Sequence, residues 1–216
     1  ISRKDYYIVK NALMPYVEPD PYTKVAPDNK YLVRSLYYDT NDLKAFHERN
    51  DGQFGRIKLR IRSYTANPDN DSLVSFELKT KKGNAMVKYS SLVPVSCYYD
   101  FEKGNGLSSE DPVLCEFYRL MKVRLLEPQL IVQYRREGYI PRDRDNLRIT
   151  FDHEVTSAKA KTLFADDLIF KEHRPKNIIL EIKCQDKQPD WIRKIVKKYD
   201  LKIITNSKYV QGIELV

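Results

Sequence analysis

From Arg56 to Arg62 the chain reads Arg-Ile-Lys-Leu-Arg-Ile-Arg, with cation and aliphatic side chain in unbroken alternation. In a strand, successive side chains point to opposite faces. Arg56, Lys58, Arg60 and Arg62 therefore share one face, and Ile57, Leu59 and Ile61 share the other. Four like charges on one face repel each other and persist most easily against water or a polyanion. Phosphate is well suited, because the planar guanidinium fork matches its oxygens. The pattern recurs. Ser75, Glu77, Lys79 and Lys81 oppose Phe76 and Leu78. Arg148, Thr150, Asp152 and Glu154 oppose Ile149, Phe151 and Val155. Glu181 and Lys183 oppose Leu180 and Ile182, and Val132, Tyr134 and Arg136 share a further parity.

Two carboxylates stand among these cations. Glu77 precedes Lys79, and Glu181 precedes Lys183, by two residues on the same face. Each has two readings. One is a salt-bridge partner. The other is a ligand for Mg²⁺ or Mn²⁺, which often take one or two carboxylates together with substrate phosphates.

The elements that must position these groups follow from periodicity and punctuation. A short amphipathic helix is expected over 5–17, ending near Pro15. Pro19, Pro21 and Pro27 mark 18–30 as a loop. Strands are expected at 32–38, 54–65, 73–81, 85–95, 129–140, 147–156, 167–172 and 177–184. Asp39 or Thr40 can cap a helix over 41–50, and Ser108 or Ser109 one from Pro112 to about Leu126. Lys82-Gly83-Asn84 reads as a hairpin turn. A last helix is expected at 189–199, then an extended segment from Ile203 with a turn at Gly212. About eight strands without a βαβ rhythm argue for a mainly antiparallel α+β fold. The length allows one large domain or two small ones, and one domain over 1–216 is expected. An open sheet with one solvated face accounts for the alternation. A closed barrel with a charged interior accounts for it too, and better explains why arginine and lysine dominate.

Composition limits the function. The chain has 216 residues, 42% of them hydrophobic, enough for a core. Its net charge of +8 favours an anionic partner. Cys97, Cys115 and Cys184 fit neither a zinc motif nor a disulfide framework, so a reducing, cytoplasmic setting is expected. No run of 18 apolar residues marks a membrane helix; any membrane association would come through a partner or a further segment. There is no P-loop and no kinase His-Arg-Asp. His47, His153 and His173 lack metal-ligand spacing and read as structural or surface residues. Sixteen tyrosines among basic residues suit base stacking, but no nucleic-acid module accompanies them.

Eight pieces, in order, carry a resemblance. They are Ser35-Leu-Tyr37-Tyr38-Asp39-Thr40, Arg60-Ile-Arg62-Ser-Tyr64, Glu77-Leu-Lys79, Val87-Lys88 and Tyr134-Arg-Arg136-Glu-Gly-Tyr139. Leu147-Arg148-Ile-Thr150-Phe-Asp152, Leu180-Glu181-Ile-Lys183 and Ser207-Lys208-Tyr209 before Gly212 complete the set. The chain resembles the catalytic domain of the vacuolar transporter chaperone (VTC) family, the polyphosphate polymerases. That family belongs to the triphosphate tunnel metalloenzymes, related to the CYTH group.

The resemblance implies an antiparallel tunnel-shaped barrel that binds triphosphate along its axis. It implies transfer of the γ-phosphate of ATP to a growing inorganic polyphosphate chain, with Mn²⁺ or Mg²⁺. By motif, Arg60 and Arg62 would grip phosphates from one strand, Lys79 and Lys88 from the next hairpin, Arg136 and Arg148 from later strands, and Lys208 from the C-terminal motif. Glu181 matches the metal-binding glutamate, and Glu77 is the second candidate. Arg56, Lys58, Lys81 and Lys183 share the charged faces and are expected to assist substrate binding, with Tyr209 beside Lys208. Tyr6 and Thr205 stand where relatives carry lysines. The same residues would serve a tripolyphosphatase or nucleoside triphosphatase with water as acceptor. A non-catalytic polyphosphate-binding module is the reading from a different class.

Overall fold

Alternation of apolar and polar side chains builds the sheet. In the computed structural model the described residues are 1–216 except Phe54, Gly83, Asn84, Ser108, Ser109, Arg144, Asp145 and Asp186. The expected turn at Lys82-Gly83-Asn84 and the expected Ser108 or Ser109 cap fall on residues outside that set. Among the described residues nine strands form one sheet: β1 (Val17–Pro19), β2 (Tyr31–Asp39), β3 (Gly55–Ser63), β4 (Leu73–Lys82), β5 (Ala85–Pro94), β6 (Glu127–Pro141), β7 (Leu147–Lys159), β8 (Lys171–Glu172) and β9 (Ile179–Cys184). The order is β5-β4-β3-β2-β6-β7-β8, with β1 on β6 and β9 on β7. With the seven short α-helices among the described residues this is the expected antiparallel α+β class. Among the described residues no pairing joins β5 to β8 or β9, so the ladder is open where a closed barrel was expected.

The helices are α1 (Arg3–Leu13), α2 (Pro21–Val25), α3 (Lys44–Asn50), α4 (Val95–Glu102), α5 (Pro112–Val123), α6 (Asp190–Lys198) and α7 (Lys208–Leu215). None of the described helices is long and apolar enough to cross a membrane. Asp111 caps α5, accepting from the Val113 and Leu114 amides at 2.7 and 3.4 Å, with Pro112 leading the first turn. Three helices depart from the sequence reading. The stretch 18–30, expected as a loop, contains α2, which Asp20 caps by accepting from the Thr23 amide at 2.7 Å. The strand expected to run to 95 gives way to α4 after Pro94. The segment expected to be extended after 203 becomes α7, started by Ser207, whose Oγ accepts from the Val210 amide. Gly212 makes no turn. A Cβ there would sit 2.6 Å from Ser157 Oγ and 2.8 Å from Leu130 Cδ1, so glycine lets the helix pack close.

Contacts divide the chain into two compact units. The first comprises 1–32, 134–155 and 174–206. Its core joins Tyr6, Val9 and Leu13 of α1 to Leu147, Ile149 and Phe151 of β7 and Ile192 and Ile195 of α6. The second comprises 33–133, 156–173 and 207–216. Its core joins Leu59 and Ile61 of β3 and Val74, Phe76 and Leu78 of β4 to Tyr98 and Phe101 of α4 and Leu114 and Phe117 of α5. The apolar parity of β3 and β4 is thus spent on the helices, which leaves the cationic parity on the opposite face.

Candidate functional site

In the second unit, antiparallel register turns single-strand alternation into rows across three strands. Arg56 lies opposite Lys81, Lys58 opposite Lys79, Arg60 opposite Glu77 and Arg62 opposite Ser75. Lys79 in turn lies opposite Lys88, and Glu77 opposite Ser90. On the other side of β3, Arg60 faces Tyr37 and Arg62 faces Ser35. Rows of like parity repeat about every 6.6–6.8 Å along a strand, and neighbouring strands are about 4.8 Å apart. Cations therefore recur at a short, regular interval in two directions. Arg62 is buried, whereas Lys79 and Lys88 are exposed, so the row opens toward solvent.

Glu77 is the hub of this face. Only 3% of its side chain is exposed, and three cations reach it: Arg60 Nη2 at 2.6 Å, Lys88 Nζ at 3.1 Å and Arg62 Nη1 at 3.7 Å. Burial alone would raise its pKa. Arg60, Arg62 and Lys88 overcome that and hold it down at about 2. Arg60 also donates to the Tyr37 hydroxyl at 2.8 Å, and Arg62 Nε donates to Ser35 Oγ at 3.1 Å. Burial opposes ionisation of Tyr37, yet Arg60 and Arg62 bring its pKa below the usual phenol value.

The C-terminal motif closes on the same face. The Tyr209 ring stacks on Tyr37, with centroids 5.3 Å apart, and its hydroxyl donates to Asp39 Oδ2. Burial and the Asp39 charge raise the Tyr209 pKa. Asp39 is fully buried and also accepts from the Ala45 and Phe46 amides at 2.8 and 3.1 Å, which anchors α3. Lys208 opens α7, close enough to contribute to lowering the Tyr37 pKa. Lys58 Nζ lies 5.2 Å from the Tyr209 centroid and 3.4 Å from Ser207 Oγ. Burial, then the charges of Arg56, Arg49 and Lys79, push Lys58 down to about 8.

The first unit holds the remaining candidates. Arg136 makes a two-pronged bond to Asp152, at 2.6 and 2.9 Å. Burial works against its charge, but Asp152 more than restores it and raises the pKa. Glu181 Oε2 lies 3.8 Å from Arg136, and Glu181 Oε1 lies 3.4 Å from Lys183 Nζ. Arg148 donates to Asp20 Oδ2 at 2.9 Å and to the Tyr31 hydroxyl at 3.1 Å. Gly138 makes room for Asp20, since a Cβ there would clash with Asp20 Oδ2. His153 is buried 3.1 Å from Glu137. In the second unit, His173 sits between Ser157 and Gln211.

Of the two carboxylates, Glu181 fits a divalent ion better. It is 40% exposed, and its ladder partner Thr150 carries a buried Oγ1 with no hydrogen-bond partner in the structure. Among the described residues no group of three or more His, Cys, Asp or Glu can hold a metal alone. Phosphate oxygens would have to complete the coordination, which is common for Mg²⁺. Glu77 has three cations about its oxygens, surroundings that repel a divalent ion, and the salt-bridge reading describes its geometry.

Parity found the cations but passed over the groups that hold them. Ser35, Tyr37 and Asp39 alternate along β2 as the arginines do along β3, and that alternation was the available signal. Asp20 gave none, because its partner Arg148 lies 128 residues away.

The fold can be matched to known proteins. A crystal structure of a "putative adenylate cyclase" from Bacillus halodurans superimposes with a TM-score of 0.57 at 12% identity. It covers 98% of this chain and 91% of that one. At that identity the likeness speaks for the fold alone. No curated protein matches the sequence at a significant level. The family-level match supports a class of enzymes that bind triphosphate or polyphosphate. The chain belongs to the VTC domain family, whose model matches residues 1–216.

Proposed function

We propose that this chain is a metal-dependent polyphosphate polymerase that moves the γ-phosphate of ATP onto a growing inorganic polyphosphate chain. The observation that carries the reading is the register of β3, β4 and β5. It places Arg56, Lys58, Arg60, Arg62, Lys79, Lys81 and Lys88 on one face, more cations than a single phosphate group needs. Phosphoryl transfer asks mainly for positioning and charge stabilisation. The γ-phosphorus exchanges its bond to the bridging oxygen of ADP for one to a terminal phosphate oxygen of the chain. That acceptor is already anionic and needs no strong base. Arg60 and Arg62 grip phosphate oxygens, Lys79, Lys88 and Lys208 extend the cationic row, and Tyr37 and Tyr209 keep Arg60 and α7 in place. Arg136 and Arg148 keep the phosphate-gripping roles that the family motif implies, and Lys183 assists substrate binding from its charged strand face. Glu181, with Thr150 beside it, would hold Mn²⁺ or Mg²⁺, which supplies charge neutralisation at the phosphoryl oxygens.

Incubation with ATP and Mn²⁺ is expected to yield ADP and acid-insoluble phosphate chains. Free phosphate without chains would make water the acceptor and the protein a triphosphatase. Tight polyphosphate binding with neither product would make it a binding module. Glu181→Gln is expected to abolish metal-stimulated turnover while polyphosphate binding stays near wild type. An unchanged metal titration curve would leave Glu181 as an ion-pair partner only.

Lys58 adds a pH dependence. It is charged below about 8 and neutral above, so one phosphate contact is lost as pH rises through that value. Polyphosphate affinity is expected to fall between neutral pH and pH about 10, by roughly ten-fold if the charge-assisted bond is worth about 1.5 kcal/mol, since bound phosphate raises the Lys58 pKa by about one unit. Lys58→Arg, which stays charged, is expected to flatten the profile in titrations at fixed ionic strength.

A further inference from the structure

Helix α6 reads Asp-Trp-Ile-Arg-Lys-Ile-Val-Lys-Lys, and its two faces differ sharply. Ile192 and Ile195 are buried in the core of the first unit, and Trp191 stacks on Tyr16 at 4.6 Å. The apolar stripe is thus already covered. Arg193, Lys194, Lys197 and Lys198 are left exposed on the other face. Asp190 pairs with Arg193, and Asp200 lies 3.8 Å from Lys202. Among the described residues no carboxylate pairs with Lys194, Lys197 or Lys198. The helix ends with the Leu201 amide bonded to the Val196 carbonyl at 2.9 Å, which pins Leu201 beside the last turn. Ile203 and Ile204 follow at once in a stretch with no ladder partner. They are 97% and 64% exposed.

Lysines at a helix C-terminus suit the helix dipole, which explains Lys197 and Lys198 in part. The dipole explains neither Lys194 nor two adjacent bare isoleucines. A soluble polyanion would use the cations and leave the isoleucines in water. An anionic bilayer uses both, because headgroups meet the lysines while short aliphatic chains enter the acyl boundary. We propose that α6 and the Lys202–Ile204 segment form a docking surface for a membrane bearing anionic lipid. The surface engages the interface and does not cross it. This is separate from the phosphotransferase reading and does not depend on it.

Sedimentation with vesicles tests the proposal. The protein is expected to bind vesicles of phosphatidylcholine with phosphatidylserine, and to bind phosphatidylcholine alone far less. Each lysine near an anionic surface contributes about five-fold in affinity, so Lys194→Gln, Lys197→Gln and Lys198→Gln together are expected to weaken binding by roughly a hundred-fold. The pair Ile203→Ser and Ile204→Ser removes no core packing and is expected to weaken it by roughly ten-fold. ATP turnover and polyphosphate affinity should be unchanged in both. Equal binding to the two vesicle types would overturn the proposal. So would wild-type vesicle binding by the isoleucine variant together with displacement by tripolyphosphate, since the patch would then read soluble polyanions. Unchanged thermal melting confirms that each variant is folded, and the isoleucine variant alone suffices if the lysine variant is not.

Discussion

Glu77→Ala is expected to destabilise the protein by about 3 kcal/mol, the low end for breaking a buried ion pair because Lys88 is half exposed. The substitution removes no apolar packing of note. It leaves Arg60, Arg62 and Lys88 crowded together without the carboxylate that they surround. The pH dependence carries the same sign. Glu77 titrates near 2 in the fold against an ordinary value of about 4.3 when unfolded. Its contribution is complete above the unfolded value and is lost as pH falls from there toward 2. Denaturant unfolding at neutral pH should show the loss, and the difference between variant and wild type should shrink in acid. Tripolyphosphate should stabilise the variant more than the wild type, because it replaces the missing negative charge. A variant as stable as wild type without polyanion would mean that the three cations are not held by Glu77.

Arg62→Ala is expected to lower kcat/KM for ATP by at least about ten-fold, the loss of one charge-assisted contact worth about 1.5–3 kcal/mol. Arg62 lies 3.7 Å from Glu77 against 2.6 Å for Arg60, so its loss disturbs the Glu77 cluster less than loss of Arg60 does. Arg60→Ala should lose as much activity, and stability as well. Arg60 bridges Glu77 and Tyr37, and the Tyr37 ring carries the Tyr209 stack. Arg60→Lys keeps the charge but cannot hold both partners, so it should recover part of the stability and little of the activity. Steady-state kinetics beside thermal melts separate the two effects. Wild-type kcat/KM in folded Arg62→Ala would remove this face from the site.

What the sequence conveyed follows from what strand geometry encodes. A period of two sorts side chains onto faces, so Arg56 to Arg62 and Glu77 to Lys81 were legible as charged faces before any pairing was known. The pairing itself was not, because alternation fixes a face and leaves the partner strand open. That Glu77 meets Arg60, or that Lys58, Lys79 and Lys88 form one row, appears only in the register. The C-terminus misled for a local reason. Ile203 and Ile204 are β-branched and Gly212 reads as a turn, yet Ser207 starts a helix and Gly212 serves close packing against Ser157. The long-range pair of Asp39 and Tyr209 was beyond reach, because nothing local ties a buried carboxylate to a tyrosine 170 residues away. The resemblance supplied order along the chain and reached the family, while the second residues of each pair came from the fold.

The central claim is that the charged face of β3, β4 and β5 carries the phosphate chain. A crystal structure with tripolyphosphate bound tests it most directly. The account predicts phosphate oxygens about 2.7–2.9 Å from the guanidinium nitrogens of Arg60 and Arg62 and from Lys88 Nζ, with Glu77 giving up part of its bonding to the ligand. Tripolyphosphate bound elsewhere, with Glu77 still holding all three cations, would contradict it.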